Sequence, residues 1–462
     1  MSNPRSILKA ITLIGLLSLG VAAQAATPAP YAAPAKGTRT IYRNAALIDG
    51  TGGPMRRGMA IVVDGDRIVE VVGDRDISAA SLASGKVVDL GGRYVLPGLI
   101  DSHVHVATPP DRKRAEAVLR RNLYGGVTAV RDMADDLRSV AEITRASLVG
   151  EIAAPDIYYA ALMAGPSFFD DPRTAAAAMG VTPGKVPWMQ AIDDSTDLPT
   201  AVTLARGTFA TAIKAYANMP GQTVAAIVAE AHRQGMPVWA HGAIFPATPA
   251  DVVAAGPDVI SHVCYLAYQA SDAVPGSYQK RVPVTYDRFG KTGSPVTAAL
   301  FKQMAERNII LDATGRVYLD YDARAKAHPE KPALCTADLA ARLIAQARAA
   351  GVQISTGTDG TASADDPWPE LYDELVYLVE QAKMPAAEVI RSATLVGARA
   401  AGQEKHMGTI AAGKFANFII LAKNPLENIR NIESITTTVK RGHAYPRADF
   451  RLLTKDELGD DE

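Results

Sequence analysis

One stretch of the chain indicates the fold most directly, and it runs Val95-Leu96-Pro97-Gly98-Leu99-Ile100-Asp101-Ser102-His103-Val104-His105. An apolar run that starts at Leu99 ends in two histidines, which lie two residues apart. Because side chains alternate along a strand, both imidazoles point to the same side if this run is a strand. Two neutral ring nitrogens in that arrangement suit a single metal ion. The stretch therefore predicts a strand that ends in part of a metal site.

Seven more strand-like runs follow, and helical patterns alternate with them. The eight predicted strands are Leu99–His105, Val127–Met133, Ile157–Ala164, Ala210–Ala217, Pro237–Ala243, Val259–Cys264, Ile309–Ala313 and Val352–Thr358. This alternation is typical of βα units around a parallel sheet. Eight such units predict an α/β protein with a TIM-like (β/α)8 barrel.

Short β segments flank the predicted barrel on both sides. Turn signals separate those between Thr40 and Val95, and Asp64-Gly65 is a strong hairpin signal. After Leu395 the β pattern returns at 418–421 and 434–440. Neither flank is large enough to bury a good core alone. We therefore expect residues 40–97 and 406–450 to build one small β-sandwich module beside a barrel of residues 98–405, followed by a polar tail, 451–462.

The N-terminus has the order of a secretory signal. Arg5 and Lys9 precede an apolar run, and small residues flank a cleavage site at Ala23-Gln24-Ala25. The run is shorter than the ~20 residues that a membrane span needs. We expect a signal peptide of residues 1–25 that is cleaved after about Ala25, a linker at 26–39, and export to a periplasm or the exterior. An uncleaved anchor is the alternative.

Composition narrows the remaining classes. The chain has 462 residues, of which 48% are hydrophobic and 21% charged, and a formal net charge of −1. Such a balance does not favour nucleic acid as a partner. Only two cysteines are present, Cys264 and Cys335, so no disulfide framework can hold the fold. We expect two free thiols, with a single bridge as the alternative.

Further metal-type side chains fall at predicted strand ends. His241 closes the fifth strand, His262 closes the sixth, and Asp359 follows the eighth. Barrels of this class carry their chemistry at the carboxyl ends of the strands. A single histidine or aspartate there is more often structural. Together with His103 and His105, these residues make five metal-type side chains at one rim. That convergence predicts a joint metal site.

Lys214 lies near the end of the fourth predicted strand. An unpaired buried ammonium beside a divalent metal is unfavourable. Two arrangements avoid this: the side chain extends to solvent, or the lysine is carboxylated and bridges two metals as an anion. The residue pattern alone leaves both open.

The opening stretch resembles the metal-binding opening of the amidohydrolase superfamily. Its later strand ends resemble three stretches of this chain, Ala240-His241, Ser261-His262 and Gly357-Thr358-Asp359-Gly360. Its C-terminal motifs resemble Ser392-Ala393-Thr394 and Gly408–Lys414. The branch most similar to this chain contains imidazolonepropionase-like and dipeptidase-like enzymes. In relatives with Ile-Lys at the fourth strand end, the lysine is carboxylated between two zinc ions. The resemblance thus implies the ligand set His103, His105, Lys214, His241, His262 and Asp359, with two zinc ions as cofactor.

On this basis we expect a metal-dependent amidohydrolase that cleaves an amide, peptide or cyclic-amide C–N bond. Two metals ~3.5–4 Å apart would share a hydroxide that attacks the carbonyl, and Asp359 would be the catalytic proton shuttle. Esters, lactones or phosphotriesters on the same centre are alternative substrates. A metal-binding or ligand-binding protein without turnover is the alternative from another class.

The substrate is expected to be a small molecule or short peptide. Its recognition should lie in the long loops 165–207, 267–295 and 315–333, where Arg316 and Tyr318 are substrate-binding candidates. The same loops offer Phe168, Phe169, Trp188, Tyr268, Lys280 and Arg281. Dipeptide-cleaving relatives often have a tyrosine three residues after the fifth-strand histidine. Here that position is Ile244.

Overall fold

The computed structural model describes residues 35–360 and 363–459. The predicted signal peptide and most of the predicted linker lie outside these residues. The strands are β1 Arg39–Leu47, β2 Arg56–Asp64, β3 Arg67–Gly73, β4 Lys86–Asp89, β5 Tyr94–Pro97, β6 Leu99–Val104, β7 Val127–Asp132, β8 Asp156–Ala164, β9 Lys185–Val186, β10 Met189–Ala191, β11 Ala212–Ala215, β12 Val238–His241, β13 Val259–Ser261, β14 Ile310–Asp312, β15 Ile354–Ser355, β16 Phe418–Leu421, β17 Ile435–Lys440 and β18 His443–Pro446.

The helices lie between and around these strands. They are α1 Ala79–Ala83, α2 Arg112–Tyr124, α3 Leu137–Leu148, α4 Pro172–Ala176, α5 Leu198–Gly207, α6 Gly221–Arg233, α7 Pro249–Ala255, α8 Pro295–Glu306, α9 Val317–Ala327, α10 Ala337–Ala349, α11 Leu371–Glu380, α12 Ala386–Arg391, α13 Gly397–Ala400 and α14 Lys455–Leu458. Within the described parts of the chain, none combines the length and the apolar character needed to cross a bilayer.

Eight parallel strands form the barrel, in the order β6, β7, β8, β11, β12, β13, β14 and β15. Each overlaps one of the eight runs predicted from the sequence. The amide of Ser102 in β6 donates to the carbonyl of Thr356, just after β15, at 2.6 Å, and so joins the first strand to the last. The predicted TIM-like barrel is confirmed.

The two flanks of the chain share a second, mixed sheet of eight strands. Its order is β18-β17-β16-β5-β1-β2-β3, with β4 also paired to β1. β16, from the C-terminal flank, pairs antiparallel with β5, from the N-terminal flank, so that Phe418 lies opposite Pro97. Phe418 and Val439 pack with Leu47 and Ile61 in one buried cluster. The expected module built from both ends of the chain is therefore present.

Two features fix this module to the barrel. Strand β5 passes into β6 through Gly98, where a Cβ atom would lie 2.1 Å from Thr128 Oγ1. At the end of β17, the buried Lys440 Nζ lies 3.0 Å from Asp156 Oδ1 at the start of β8. The neighbouring Arg441 Nη2 lies 3.0 Å from Asp156 Oδ2. The chain therefore joins the module to the first barrel strand covalently, and the ion pairs of Asp156 join it to the third.

The two cysteines are joined, so the expectation of two free thiols was wrong. Cys264 and Cys335 form a disulfide across a sequence separation of 71 residues. Cys264 follows β13, and Cys335 precedes α10, which packs against the segment after β13. Barrel topology brings these distant positions to a Cα–Cα distance of 6.0 Å, which spacing in the sequence alone does not reveal.

Candidate metal centre

The structure brings the six predicted ligands around one pocket of about 250 Å³ at the carboxyl ends of the barrel strands. Its lining includes His103, His105, Lys214, His241, His262 and Asp359. His103 and His105 come from the end of β6, Lys214 and His241 from the ends of β11 and β12, and His262 directly follows β13. Asp359 lies in the loop that follows β15. The local cause is the same throughout: apolar residues place each strand in the core, and the polar side chain emerges where the strand stops.

Three of these residues form the tightest group. His103 Nε2 lies 3.7 Å from Asp359 Oδ1, and His105 Nε2 lies 3.8 Å from the same oxygen. One ligand atom from each of the three can be chosen so that all lie within 4.8 Å of one another. The backbone amide of Asp359 donates to the carbonyl of His103 at 2.9 Å. This group fits the nitrogen and carboxylate ligands of a divalent metal.

The other two histidines extend the site along the rim. The ring centroids of His103 and His262 are 4.6 Å apart, and those of His262 and His241 are 4.8 Å apart. His262 Nδ1 lies 3.8 Å from Asp359 Oδ2. Asp359 therefore has the first-strand histidines near one carboxylate oxygen and the sixth-strand histidine near the other.

Every histidine of the site has a hydrogen-bond partner for its Nδ1 atom. His103 contacts Asp312 Oδ2 at 2.8 Å and His105 contacts Asp135 Oδ1 at 2.8 Å. The partners of the others are Ala243 O, 3.0 Å from His241, and Thr314 Oγ1, 2.9 Å from His262. Such contacts set the ring orientation and tautomer of metal-binding histidines.

Burial favours the neutral rings that a metal needs. Desolvation, followed by the nearby cationic groups, lowers the pKa of His103, His241 and His262 well below the usual value. A neutral imidazole keeps a lone pair on one nitrogen while the other donates a hydrogen bond. The three rings are therefore prepared as ligands at neutral pH.

Lys214 points into the same pocket from β11. Its side chain is 1% exposed, and Nζ has no hydrogen-bond partner. Burial is the main cause that lowers the pKa of Lys214 to about 7; Arg131 lowers it further, whereas Asp312 and Asp359 oppose the change. An orphaned buried amine is unfavourable. The position thus fits a further group, such as a metal ligand built on Nζ.

Asp101 ties the first and eighth strand ends together beneath the site. Its Oδ1 accepts from the amides of His103 and Thr358, both at 3.1 Å, and its Oδ2 accepts from Thr358 Oγ1 at 2.9 Å. Burial raises the pKa of Asp101 to about 8. Asp359, the next residue after Thr358, is thereby held in a left-handed backbone conformation with φ of 46°. Burial also raises the pKa of Asp359.

Comparison with known families adds to this geometry. Residues 94–445 match the model of the amidohydrolase family. The chain belongs to the amidohydrolase family. It is 25% identical over 449 residues to a 5-methylthioadenosine/S-adenosylhomocysteine deaminase from Desulforudis audaxviator, which covers 91% of this chain and 96% of that protein. An imidazolonepropionase from Anaeromyxobacter dehalogenans is 36% identical over 77 residues, which are 16% of this chain and 18% of that relative's length.

Solved structures show the same fold. A Xaa-Pro dipeptidase with bound methionine has a TM-score of 0.68 and 23% identity, over 88% of this chain and all of that one. The A. niger ochratoxinase has a TM-score of 0.69 and 22% identity, over 92% of this chain and 98% of that one. These structures show the fold; the family match, with the nearly full-length similarity to the deaminase, supports a hydrolase that acts on C–N bonds. The family typically binds divalent metals, and the group of His103, His105 and Asp359 fits one.

The amidohydrolase site also contains residues that the sequence reading did not assign. Asp312 Oδ2 accepts from Ser261 Oγ at 2.8 Å and from Arg131 Nη2 at 3.3 Å, in addition to its contact with His103. Asp135 Oδ1 accepts from Thr108 Oγ1 at 2.6 Å, beside its contact with His105. The sequence does contain one signal for this contact. Asp312 is an acidic residue inside a predicted buried strand, and a buried carboxylate needs hydrogen-bond or ionic partners.

Of the two substrate-binding candidates, only Tyr318 lines the metal pocket. Arg316 does not: its Nη2 donates to Asp320 at 2.9 Å, and its amide donates to Glu374 at 2.7 Å. Phe168 also lines the pocket, whereas Tyr268 and Arg281 line an adjacent cavity. Neither of these two cavities is lined by the other loop residues named above, Phe169, Trp188 and Lys280.

A group of tyrosines that the sequence reading missed forms much of the pocket wall. Its members are Tyr216, Tyr265, Tyr278 and Tyr321. The Tyr265 ring lies 4.1 Å from the His241 ring, whereas Ile244, three residues after His241, is completely buried. Tyr265 follows the sixth-strand histidine by three residues, so this aromatic neighbour of His241 comes from the segment after the adjacent strand, β13.

Proposed function

We propose that the mature chain is a binuclear, zinc-dependent amidohydrolase that cleaves an amide, peptide or cyclic-amide C–N bond. The single observation that carries this proposal is the combination at one rim: four histidines oriented through Nδ1, an orphaned buried Lys214 amine and Asp359 between them. A non-catalytic binding protein needs no such proton-accepting carboxylate beside its metal ligands.

The donor set favours two metals over one. Six side chains are more than the three protein ligands that catalytic zinc sites usually have. We assign His103, His105 and Asp359 to one metal and His241 and His262 to the other, with Lys214 between them. When bound, the metals would polarise the scissile carbonyl and lower the pKa of the attacking water.

Lys214 would join the two halves as a carbamate. Its neutral amine attacks carbon dioxide, a C–N bond forms as one C–O π bond breaks and leaves its electron pair on oxygen, and one proton leaves Nζ, so that the neutral side chain becomes anionic. The neutral amine is the reactive form, and a pKa of about 7 supplies it at neutral pH. The two carbamate oxygens could act as metal ligands. A bare ammonium group cannot, because it has no lone pair to donate.

Asp359 would move the proton. Its carboxylate accepts a proton from the attacking water and then donates it to the leaving nitrogen, which is general base and general acid catalysis in turn. Asp101, through Thr358, holds the backbone that carries this carboxylate.

A substrate panel tests the reaction class. Purified enzyme should hydrolyse at least one of the N-acyl amino acids, dipeptides or cyclic amides, and Asp359→Asn should lose that activity. If only lactones, esters or phosphotriesters react, the C–N assignment is wrong. If zinc is bound and nothing is hydrolysed, the protein is a binding protein.

We also propose export. The N-terminal order of charged, apolar and small residues supports a signal peptide, and the Cys264–Cys335 disulfide is typical of an oxidising compartment. Cell fractionation with N-terminal sequencing tests this. A mature chain in the periplasm or medium that starts near residue 26 is expected, and an intact N-terminus in the cytosol contradicts it.

A further inference from the structure

A second cavity lies directly beside the metal pocket. Its volume is about 530 Å³, roughly twice that of the metal pocket, and the two share Tyr265, Tyr318 and Tyr321 as walls. Residues of α9, the segment 328–334 and the Cys264–Cys335 disulfide line the rest. The backbone amide of Cys264 donates to Tyr318 Oη at 3.3 Å, which holds the shared wall. The same three tyrosines therefore border both cavities.

The lining of the second cavity is basic. Arg281, Arg324, His328 and Lys331 belong to it, and among the described residues no aspartate or glutamate does. The nearby Glu330 lies 3.5 Å from His328 Nδ1, so it offsets that one ring and leaves the arginines and the lysine. An excess of one charge on the walls of a cleft attracts ions of the opposite charge.

The lining is also aromatic. Its aromatic residues are Tyr265, Tyr268, Tyr318 and Tyr321. The guanidinium carbon of Arg281 lies 5.6 Å from the Tyr265 ring centroid and 3.8 Å from that of Tyr278, a residue of the metal pocket. Arg324 lies 5.8 Å from the ring centroid of Tyr321. Tyrosine faces and stacked guanidinium planes accept a flat ring, while the remaining N–H groups pair with a carboxylate or sulfonate.

We propose that this cavity binds the non-reacting end of the substrate, and that this end is an aromatic ring bearing an anionic group. This specificity assignment rests on the proposed C–N hydrolysis at the metal centre. The scissile bond lies in the metal pocket, and the aromatic anion extends past Tyr265 and Tyr318 to Arg281, Arg324 and Lys331. Neutral or purely aliphatic amides lack these contacts and are poorer substrates.

Direct binding tests the cavity without relying on turnover. The probe is 2-naphthalenesulfonate, with the neutral 2-naphthalenesulfonamide for comparison, titrated calorimetrically into the Asp359→Asn protein with and without chelator. Arg324→Ala and Lys331→Ala should each weaken sulfonate binding by about two- to fivefold, the range of an exposed charge pair. Sulfonamide binding should stay unchanged. Lys326→Ala is the matched control, because Lys326 is an exposed residue of α9 outside the lining.

Kinetics on paired amides, one with an aromatic carboxylate and one with the carboxamide, give the second readout. Arg324→Ala and Lys331→Ala should raise KM for the acid at unchanged kcat and leave the amide unaffected. Equal binding of sulfonate and sulfonamide, or variants that bind sulfonate like the wild type, would overturn the proposal. Sulfonate binding that depends on Arg324 and Lys331 in a protein that hydrolyses no amide would instead overturn the proposed function and leave an anion site.

Discussion

Asp312 Oδ2 lies 2.8 Å from His103 Nδ1, and both side chains are almost completely buried. The same oxygen accepts from Ser261 Oγ and from the buried Arg131, so one carboxylate joins the ends of the first, second, sixth and seventh barrel strands. Burial raises the pKa of Asp312 to about 6. Because the carboxylate fixes the ring of His103, metal affinity should depend on a residue that does not contact the metal.

Asp312→Asn should therefore weaken zinc binding by about 10- to 100-fold, the range for partners of metal-binding histidines. Competition with a chromogenic chelator measures this affinity. Asp338→Asn, at an exposed residue of α10, is the control and should bind like the wild type. Wild-type affinity in a folded Asp312→Asn protein would show that His103 does not need this partner.

Asp359→Asn should lower kcat by about 10²–10⁴-fold, the usual contribution of a general acid–base group. Most of the bound zinc should remain, since the four histidines and Lys214 are unchanged. Steady-state kinetics on the best substrate, with metal analysis of the same sample, checks both points. Near-normal turnover in this variant would remove Asp359 from the proton-transfer role.

Asp156→Asn should lower the free energy of unfolding by about 3–5 kcal/mol, because Lys440 would keep a buried charge without its partner. Denaturant unfolding measures the change. Asp66→Asn is a matched control: Asp66 also lies near Arg441, at 3.9 Å, but is partly exposed, so its effect should stay within ~0.5 kcal/mol. Equal effects of the two substitutions would contradict the buried ion pair.

The same residue predicts a pH dependence. Although burial alone would raise it, Lys440 and Arg441 hold the pKa of Asp156 below its usual value in the folded state. The unfolded chain therefore takes up this proton first as the pH falls below about 4. The stabilisation is complete above that pH and is lost as the pH falls through the folded-state pKa. Between pH 5 and pH 3 the wild type should lose more stability than Asp156→Asn. Parallel acid curves would contradict this.

The Cys264→Ser/Cys335→Ser double variant should lose roughly 2–4 kcal/mol of unfolding free energy, as expected when a loop of this length is no longer closed in the unfolded chain. Thermal unfolding with and without reductant checks it. Reductant should lower the wild-type Tm towards that of the variant and leave the variant unchanged. If reductant does not change the difference in Tm between the wild type and the variant, the loss of stability comes from packing at residue 264 and not from the disulfide.

Local pattern was sufficient to predict the barrel and to place most of the candidate ligands at one rim of it. Strand ends can be read from apolar runs, and His103, His105, His241, His262 and Asp359 stand out there because their neighbours are apolar. The accessory sheet followed from the same reasoning, since neither flank could bury a core by itself. The domain limits and the metal-binding roles of these residues stay predictions.

Contacts between residues far apart in the sequence could not be predicted from local pattern. Asp312 meets His103 across 209 residues, and Cys264 meets Cys335 across 71. Such pairs depend on which strands become neighbours and on the exact register. Tyr265 shows the same limit, because its position three residues after His262 gives no sign that its ring lies against His241 from the segment after the next strand.

The metal content of the purified mature enzyme tests the central claim most directly. Protein loaded with excess zinc and then desalted should contain about two zinc ions per chain. Lys214→Ala should retain about one or fewer, because the group that joins the two halves is missing, while Lys302→Ala, at an exposed lysine of α8, should match the wild type. One zinc ion or none per wild-type chain, or a Lys214→Ala protein that still holds two, would contradict the binuclear centre.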